Sequence, residues 1–443
     1  MHGRLVAQSF AGLPGLDTAA RKLSFRRMND HPRLRPVEAF PIQQDGRTLI
    51  YLKDPQNFAT PIGISPVGYF ILSHFDGRHS FLDIQEAYCR KFGALLLSDE
   101  LSSFIEMLDS HYYIYSERFL RHQKEVIEKF LRESTRAPAH AGRVYKVDAA
   151  ELKVQLDSFF TSRDGPGLPS RENRARTPKA IVAPHIDFQR GGAGYAWAYK
   201  SLAESDGADL YIILGTSHWS GEKPFVLTDK DFFTPLGTVE TDRDFTKRLQ
   251  ELSKDDLFAD EYLHRTEHSL EFQVVFLKYI AQRRAELLGH KEKPFKMVPI
   301  LVSSFHPMLQ SRTLPENTPA VKSFLNAVQE LLRQEKRKVC FVAGVDLAHV
   351  GRQFGDSTPL TPDFLKWVEK EDSRLIERLA LLDGPGFFQE VAKDQDKRRI
   401  CGFSPLYSLI QLLSGNRGRN LKYSQAFTPE TGSAVTFTSM IFE

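Results

Sequence analysis

The sequence predicts an α/β protein: a mixed sheet flanked by helices, with a small α+β domain ahead of it. Three observations carry the prediction. A chain of 443 residues is long for a single hydrophobic core, so one large and one smaller domain is the natural division. From residue 180 onward, short apolar runs of strand length alternate with amphipathic helical segments, which implies a largely parallel or mixed sheet covered on both faces. Residues 35–118 read instead as a succession of three helices with a closing strand pair, the pattern of a winged helix.

The elements follow in chain order. Residues 1–34 show no clean period, and Met28 would serve as well as Met1 for a start, so this stretch is expected to be disordered or an upstream extension. RTLIYLKD alternates like a strand, and VGYFILSHF reads as a short buried helix ended by the Asp76-Gly77 turn. Ser80 is placed to cap FLDIQEAYCRKF, with Gly93 as its C-terminal stop. SDELSSFIEMLDSH is a third helix, leading into the strand-like YYIYS. Residues 119–137 are helical, charged and closed by Pro138, and are expected to form a linker to the large domain at 138–443.

In that large domain KAIVAPH, DLYIILGTSH, FKMVPILV and KVCFVAGVD are buried strands, and GSAVTFTSMIFE is the last one. PFVLTD leads into a turn through LGTVETD. The helices between them include one beginning at the glycines of GGAGYAWAYKSLAES, one with an aspartate near its start in DRDFTKRLQELS, and the long EHSLEFQVVFLKYIAQRRAELL.

Composition narrows the function classes. A net charge of +3 over this length gives no electrostatic case for a nucleic-acid or membrane partner. No apolar run approaches the ~20 residues of a bilayer-spanning helix. Cys89, Cys340 and Cys401 are odd in number and far apart, which argues against a disulfide framework and favours a reducing cytoplasm.

Ligand-binding residues of open α/β sheets gather beyond the carboxyl ends of strands. His185 follows one such strand, His218 the next, and Asp346 and His349 a third. Two histidines after consecutive strands raise the prospect of a metal site. Cys401, in RRICGFSP, reads by itself as a buried apolar cysteine, although a helix starting near Pro405 would favour its thiolate. Cys340 reads as core. His268 opens a helix with Glu271 on the same face, either as a first-turn cluster or as a group supporting a site. His264, His290 and His306 read as surface or loop residues.

Residues 140–443 resemble the Memo family, including the Memo-like protein B of the AmmeMemoRadiSam system. The resemblance rests on HAGRVY, APHIDFQRGGAGYAWAY, YIILGTSH, EHSLEFQ, VPILV, GVDLAHVGRQF and RRICGFSP, met in family order. It implies a fold like that of LigB-type class III extradiol dioxygenases, with a metal pocket formed by His185, His218 and Cys401. The D-x-x-H pair falls on Asp346 and His349. With His268 these are the residues expected to carry chemistry beside the metal: Asp346 to orient an imidazole, and His349 as a base with a pKa near neutrality. Three positions depart from the family pattern. Ile186-Asp187-Phe188 stand where Ala-Gly-Tyr is usual, Ala348 where a cysteine can occur, and Phe403-Ser404 where Arg or His is frequent. The first changes a pocket wall and adds a carboxylate.

GYFILSHFDGRHSFLDI and FIEMLDSHYYI are similar to the PqqD-like domain, which implies a module that docks a peptide. The family resemblance further implies radical SAM and AMMECR-type partners. Two imidazoles and a thiolate accept one divalent or Cu(I) ion, with iron favoured and copper or zinc as alternatives. The expectation is a dioxygenase-like redox enzyme; the alternative is a metal- and peptide-binding adaptor without turnover. A zinc hydrolase ranks last, since no H-E-x-x-H motif is present.

Overall fold

The computed structural model describes residues 31–443 apart from 45, 174, 220, 414 and 416. The chain forms two compact units, one up to Arg132 and one from Glu133. The stretch 1–34 lies outside the described residues up to position 30; beyond it, Arg33 and Leu34 form bridges with Asp76 and Ile114.

The small unit is α+β. Strands β1 (Glu38–Gln44), β2 (Arg47–Lys53) and β3 (Ile62–Ile64) form an antiparallel sheet in that order. Helices α1 (Pro66–Leu72), α2 (Phe81–Phe92), α3 (Ser98–Ser110) and α4 (Glu117–Arg132) follow. Ser80 and Asp83 close a reciprocal capping box on α2, and Gly93 ends it at φ 67°. The strand pair expected after the third helix is not formed among the described residues. Tyr112 turns the backbone to φ 64°, and the Tyr113 ring is buried with its hydroxyl donating to the Leu52 and Thr60 carbonyls at 2.9 Å each. The segment therefore plugs the core with a side chain, and the sheet precedes the helices.

The stretch 119–137 is largely helical, and the division between the two units falls within it. Most of it is α4, and Thr135–Arg136 (β4) pairs with a strand of the large unit. In that unit come α5 (Ala149–Thr161), β5 (Ala180–Ala183), α6 (Phe188–Ala203), β6 (Leu210–Thr216) and β7 (Phe225–Leu227). Next are β8 (Asp231–Thr234), β9 (Gly237–Thr241), α7 (Arg243–Leu252), α8 (His268–Leu288), β10 (Lys296–Val302) and α9 (His306–Ser311). The chain continues through α10 (Pro319–Gln334), β11 (Val339–Gly344), β12 (His349–Gly351), α11 (Pro362–Ala380) and α12 (Gly384–Ala392). It ends with α13 (Phe403–Leu412), β13 (Gly418–Thr428) and β14 (Ser433–Phe442).

Among the described residues, eleven strands make one mixed sheet whose path runs β12-β14-β5-β11-β6-β10-β9-β8-β4. Its centre, β5-β11-β6-β10, is parallel, and β14 closes one side antiparallel. Alternate residues of each central strand feed opposite faces, as the pleat requires. Ala180, Val182, Ile212 and Val342's neighbour Phe341 pack with α10 and α13, whereas Ile181, Ala183, Ile213 and Cys340 pack with α6 and α8. Cys340 is a core residue.

Three local readings change. Helix α6 begins at Phe188, capped by Asp187, so its glycines lie inside the helix, where Gly192 faces Phe159 and Gly194 faces Phe437. LGTVETD contributes β9, hairpinned to β8. Strand β13, too polar to announce itself as a buried strand, pairs along β14. No helix of the described residues is long and apolar enough to cross a membrane.

Candidate metal centre

Strand register aligns the site. Ala183, Gly344 and Gly215 stand side by side on β5, β11 and β6. His185 and Asp346 therefore emerge two residues beyond this line, and His218 three residues beyond it. The line can carry glycine at two positions because α8 passes very close. A Cβ on Gly344 would fall 2.5 Å from the Ser269 carbonyl, and one on Gly215 2.6 Å from Ser269 Oγ. This approach brings Glu267 and His268, at the start of α8, to the mouth of the sheet. Ser269 Oγ fixes it by donating to the Thr216 carbonyl at 2.9 Å.

His185, His218 and Cys401 come together, each offering a donor atom, with all three atoms within 4.8 Å of one another. Cys401 Sγ is 3.2 Å from His185 Nε2. Donor atoms of a tetrahedral site lie roughly 3.3–3.7 Å apart, given metal–ligand bonds of about 2.0–2.3 Å, so the trio fits a single ion with small adjustments. The other ring nitrogens are already engaged. His185 Nδ1 lies 3.0 Å from the Gly344 carbonyl, and His218 Nδ1 lies 3.0 and 3.1 Å from the two oxygens of Glu267. Each bond commits Nδ1 and leaves Nε2 as the ring nitrogen available to an ion, the arrangement that fixes a ligating histidine's tautomer.

Glu267 is the residue that sequence reasoning missed. It caps α8 through the His268 and Ser269 amides, accepts the His218 amide at 3.0 Å and is almost wholly buried. Its backbone carbonyl is held by Arg136, whose guanidinium also meets Glu271 at 2.6 Å. Glu271 in turn accepts the amides of Ala139 and His140 and the Tyr145 hydroxyl. A glutamate before a helix is an ordinary sequence feature, and only the 49-residue reach to His218 reveals its role.

Asp346 joins the centre in a different way from the one expected. Gly344 orients His185, while Asp346 accepts the His185 amide at 3.0 Å and lies 3.6 Å from Nε2 on the donor side. Burial raises its pKa to about 7, against the amide hydrogen bonds from His185 and Ile186. His268 packs beside both ligands, with ring centroids 4.6 Å from His218 and 5.1 Å from His185; burial lowers its pKa to about 3.

His349 lies outside the His185–His218–Cys401 trio. Its Nδ1 faces the Leu347 carbonyl at 3.1 Å and its ring stands edge-on to Phe354. Burial holds its pKa down to about 4, so it is a weaker base than expected. Cys401 is corrected similarly. Helix α13 starts at Phe403, yet burial and then the Asp346 carboxylate push the thiol well above its ordinary pKa. A cation, not the helix end, has to draw out the thiolate. Of the histidines read as surface or loop residues, His264 is buried against the Val226 carbonyl, His306 pairs with the buried Asp396, and His290 is exposed.

The comparisons agree with this architecture. The profile described as Memo-like protein matches residues 136–441. A MEMO1 family protein of Aquifex aeolicus is 29% identical over 409 residues, covering 92% of this chain and 99% of its own length. That alignment extends beyond the large unit. A MEMO1 family protein of Methanopyrus kandleri is 28% identical over 317 residues, covering 69% of this chain and 98% of its own. A relative in Pyrococcus furiosus is 31% identical over 266 residues, 59% of this chain and 81% of its own length. The ordered motifs, the mixed sheet and the profile match across the large unit converge: the chain belongs to the Memo-like protein family.

Proposed function

We propose that the large unit is a mononuclear metal-binding redox module, dioxygenase-like in its chemistry, with iron favoured over copper or zinc. The observation that carries this reading is the convergence of two imidazoles and one thiol, each imidazole being already committed through its Nδ1. When bound, a redox-active ion would supply electron transfer toward O₂ or a reduced oxygen species. His185 and His218 hold it as neutral donors, and Cys401 contributes the anion. Asp346 keeps a carboxyl that titrates near neutrality within 3.6 Å of His185 Nε2, so it can hold or release a proton there. His268 walls the site as a neutral ring.

The small unit would bind a peptide for presentation to a partner, and radical SAM and AMMECR-type proteins would be partners of the chain. Both proposals come from the resemblance. The test is oxygen or peroxide consumption by anaerobically iron-loaded protein. Turnover that falls in Asp346→Asn while iron stays bound supports the redox reading. Full iron occupancy with no turnover by any variant or the parent would replace it with the metal- and peptide-binding adaptor.

A further inference from the structure

We propose that Arg398 and Arg399 act together as the positioning element that holds Cys401 in register with His349 and Asp346. The proposal rests on the metal-centre reading in treating Cys401 as a ligand. Between α12 and α13 the chain passes through a loop in which three non-glycine residues adopt left-handed backbone: Gln395 (φ 56°), Asp396 (φ 52°) and Arg399 (φ 53°). Such conformations persist only where surrounding contacts over-determine them.

Those contacts converge on the loop that follows β11. The His349 amide donates to the Arg398 carbonyl at 2.6 Å, and Arg399 Nη1 donates to the His349 carbonyl at 3.2 Å. The main chain of His349 is thus gripped on both sides by consecutive arginines. At the other end the Gly402 amide donates to the Asp346 carbonyl at 3.0 Å. Residues 346–349 and 398–402 are stitched together at both ends, with Cys401 between the stitches.

Each arginine is anchored in turn. Arg398 is fully buried, and its Nη1 meets Asp372 at 2.7 Å. Asp372 also accepts the Tyr423 hydroxyl and Thr436 Oγ1, and Thr436 Oγ1 accepts the Ala348 amide at 2.8 Å. Arg399 Nη2 meets Asp356 at 2.7 Å nearer the surface. A buried ion pair is weak evidence for stability but suits a role in fixing geometry. A guanidinium is required because it serves a carboxylate and a carbonyl at once.

The test uses the full chain carrying Cys89→Ser, which removes the exposed thiol. Iodoacetamide labelling of the metal-free protein is read at Cys401, with buried Cys340 as an internal monitor of general loosening. Arg399→Ala and Asp356→Ala should each raise the Cys401 rate several-fold, leave Cys340 unlabelled, and together do no more than either alone. Arg398→Lys should act in the same direction. In cobalt-loaded protein, Arg399→Ala should weaken and shift the thiolate-to-metal absorption band, with Arg399→Lys intermediate. Unchanged labelling and unchanged spectra in Arg399→Ala and Arg398→Lys would overturn the proposal, as would Cys340 labelling that rises in step with Cys401. A parent protein that takes up no cobalt while labelling responds as expected would leave the positioning role standing and remove the metal reading.

Discussion

The two imidazoles of the candidate centre occupy equivalent places in the sequence and opposite environments in the fold. His185, at the floor, is 1% exposed and donates to a neutral backbone carbonyl. Burial, and then the neighbouring His218 and His268, hold its pKa well below the ordinary histidine value. The His218 side chain, at the rim, is 32% exposed and rests on the Glu267 carboxylate. Burial opposes its charge, but Glu267 outweighs that and raises its pKa. The floor is therefore set for metal without competition from protons. The rim trades metal against a proton.

The largest contrast should come from removing each ring. His185→Ala and His218→Ala are both expected to lose the metal, but only the floor variant should unfold substantially more easily without it. His185→Ala removes a wholly buried ring together with its hydrogen bond to the Gly344 carbonyl, at a cost of about 1–3 kcal/mol. His218→Ala should cost clearly less, because Glu267 keeps its amide hydrogen bonds from residues 218, 268 and 269. Urea unfolding of the metal-free variants compares them, and equal losses would erase the distinction between floor and rim.

Glu267→Gln addresses the rim alone. Supporting carboxylates of this kind change metal affinity roughly 10–100-fold, and a weakening of that order is expected at pH 8. The onset of binding should nevertheless move to lower pH, since His218 no longer holds its proton so tightly. Metal titrations at several pH values read both effects, and an unaltered onset would show that Glu267 does not set the rim's charge.

How much of this was legible depended on range. The strand ends carrying His185, His218 and Asp346 were readable because buried strands are short apolar runs with a polar residue just beyond. Cys401 was not readable from spacing, since a cysteine before a helix looks like core; the family motif supplied it. Glu267, the Gly344 carbonyl and the Arg398–Arg399 grip act across tens to hundreds of residues, and no local pattern encodes them. The end of the small unit departs from the expected strand pair for a related reason. Tyr112 and Tyr113 have strand propensity, but a backbone turn and a buried hydroxyl redirect them.

A subtler effect concerns Asp346, which lies against the floor ligand. Its raised pKa means that the folded state disfavours the carboxylate, so stability declines as pH rises from about 4 toward 7. Asp346→Asn should therefore make the metal-free protein more stable at pH 8, on the order of 2 kcal/mol, and no more stable at pH 4. Denaturant curves at the two values test the sign. A destabilised variant at pH 8 would mean that Asp346 is charged at no cost.

The smallest expected effect is the pH dependence of the rim. A histidine with a raised folded pKa adds stability that is present below its unfolded value and lost as pH rises through the folded one. The cost of His218→Ala should thus be greatest near pH 6 and fade above the raised value. His185 runs the other way: its contribution is present above the ordinary histidine pKa and falls away in acid. Thermal melts of the metal-free proteins across this range distinguish the two slopes.

The most direct test of the central claim is anaerobic metal analysis of the parent beside His185→Ala and Cys401→Ala. One ion per chain in the parent, with occupancy lost in both variants, is the expected result. Full occupancy retained in both variants would contradict the assignment of His185 and Cys401 as ligands.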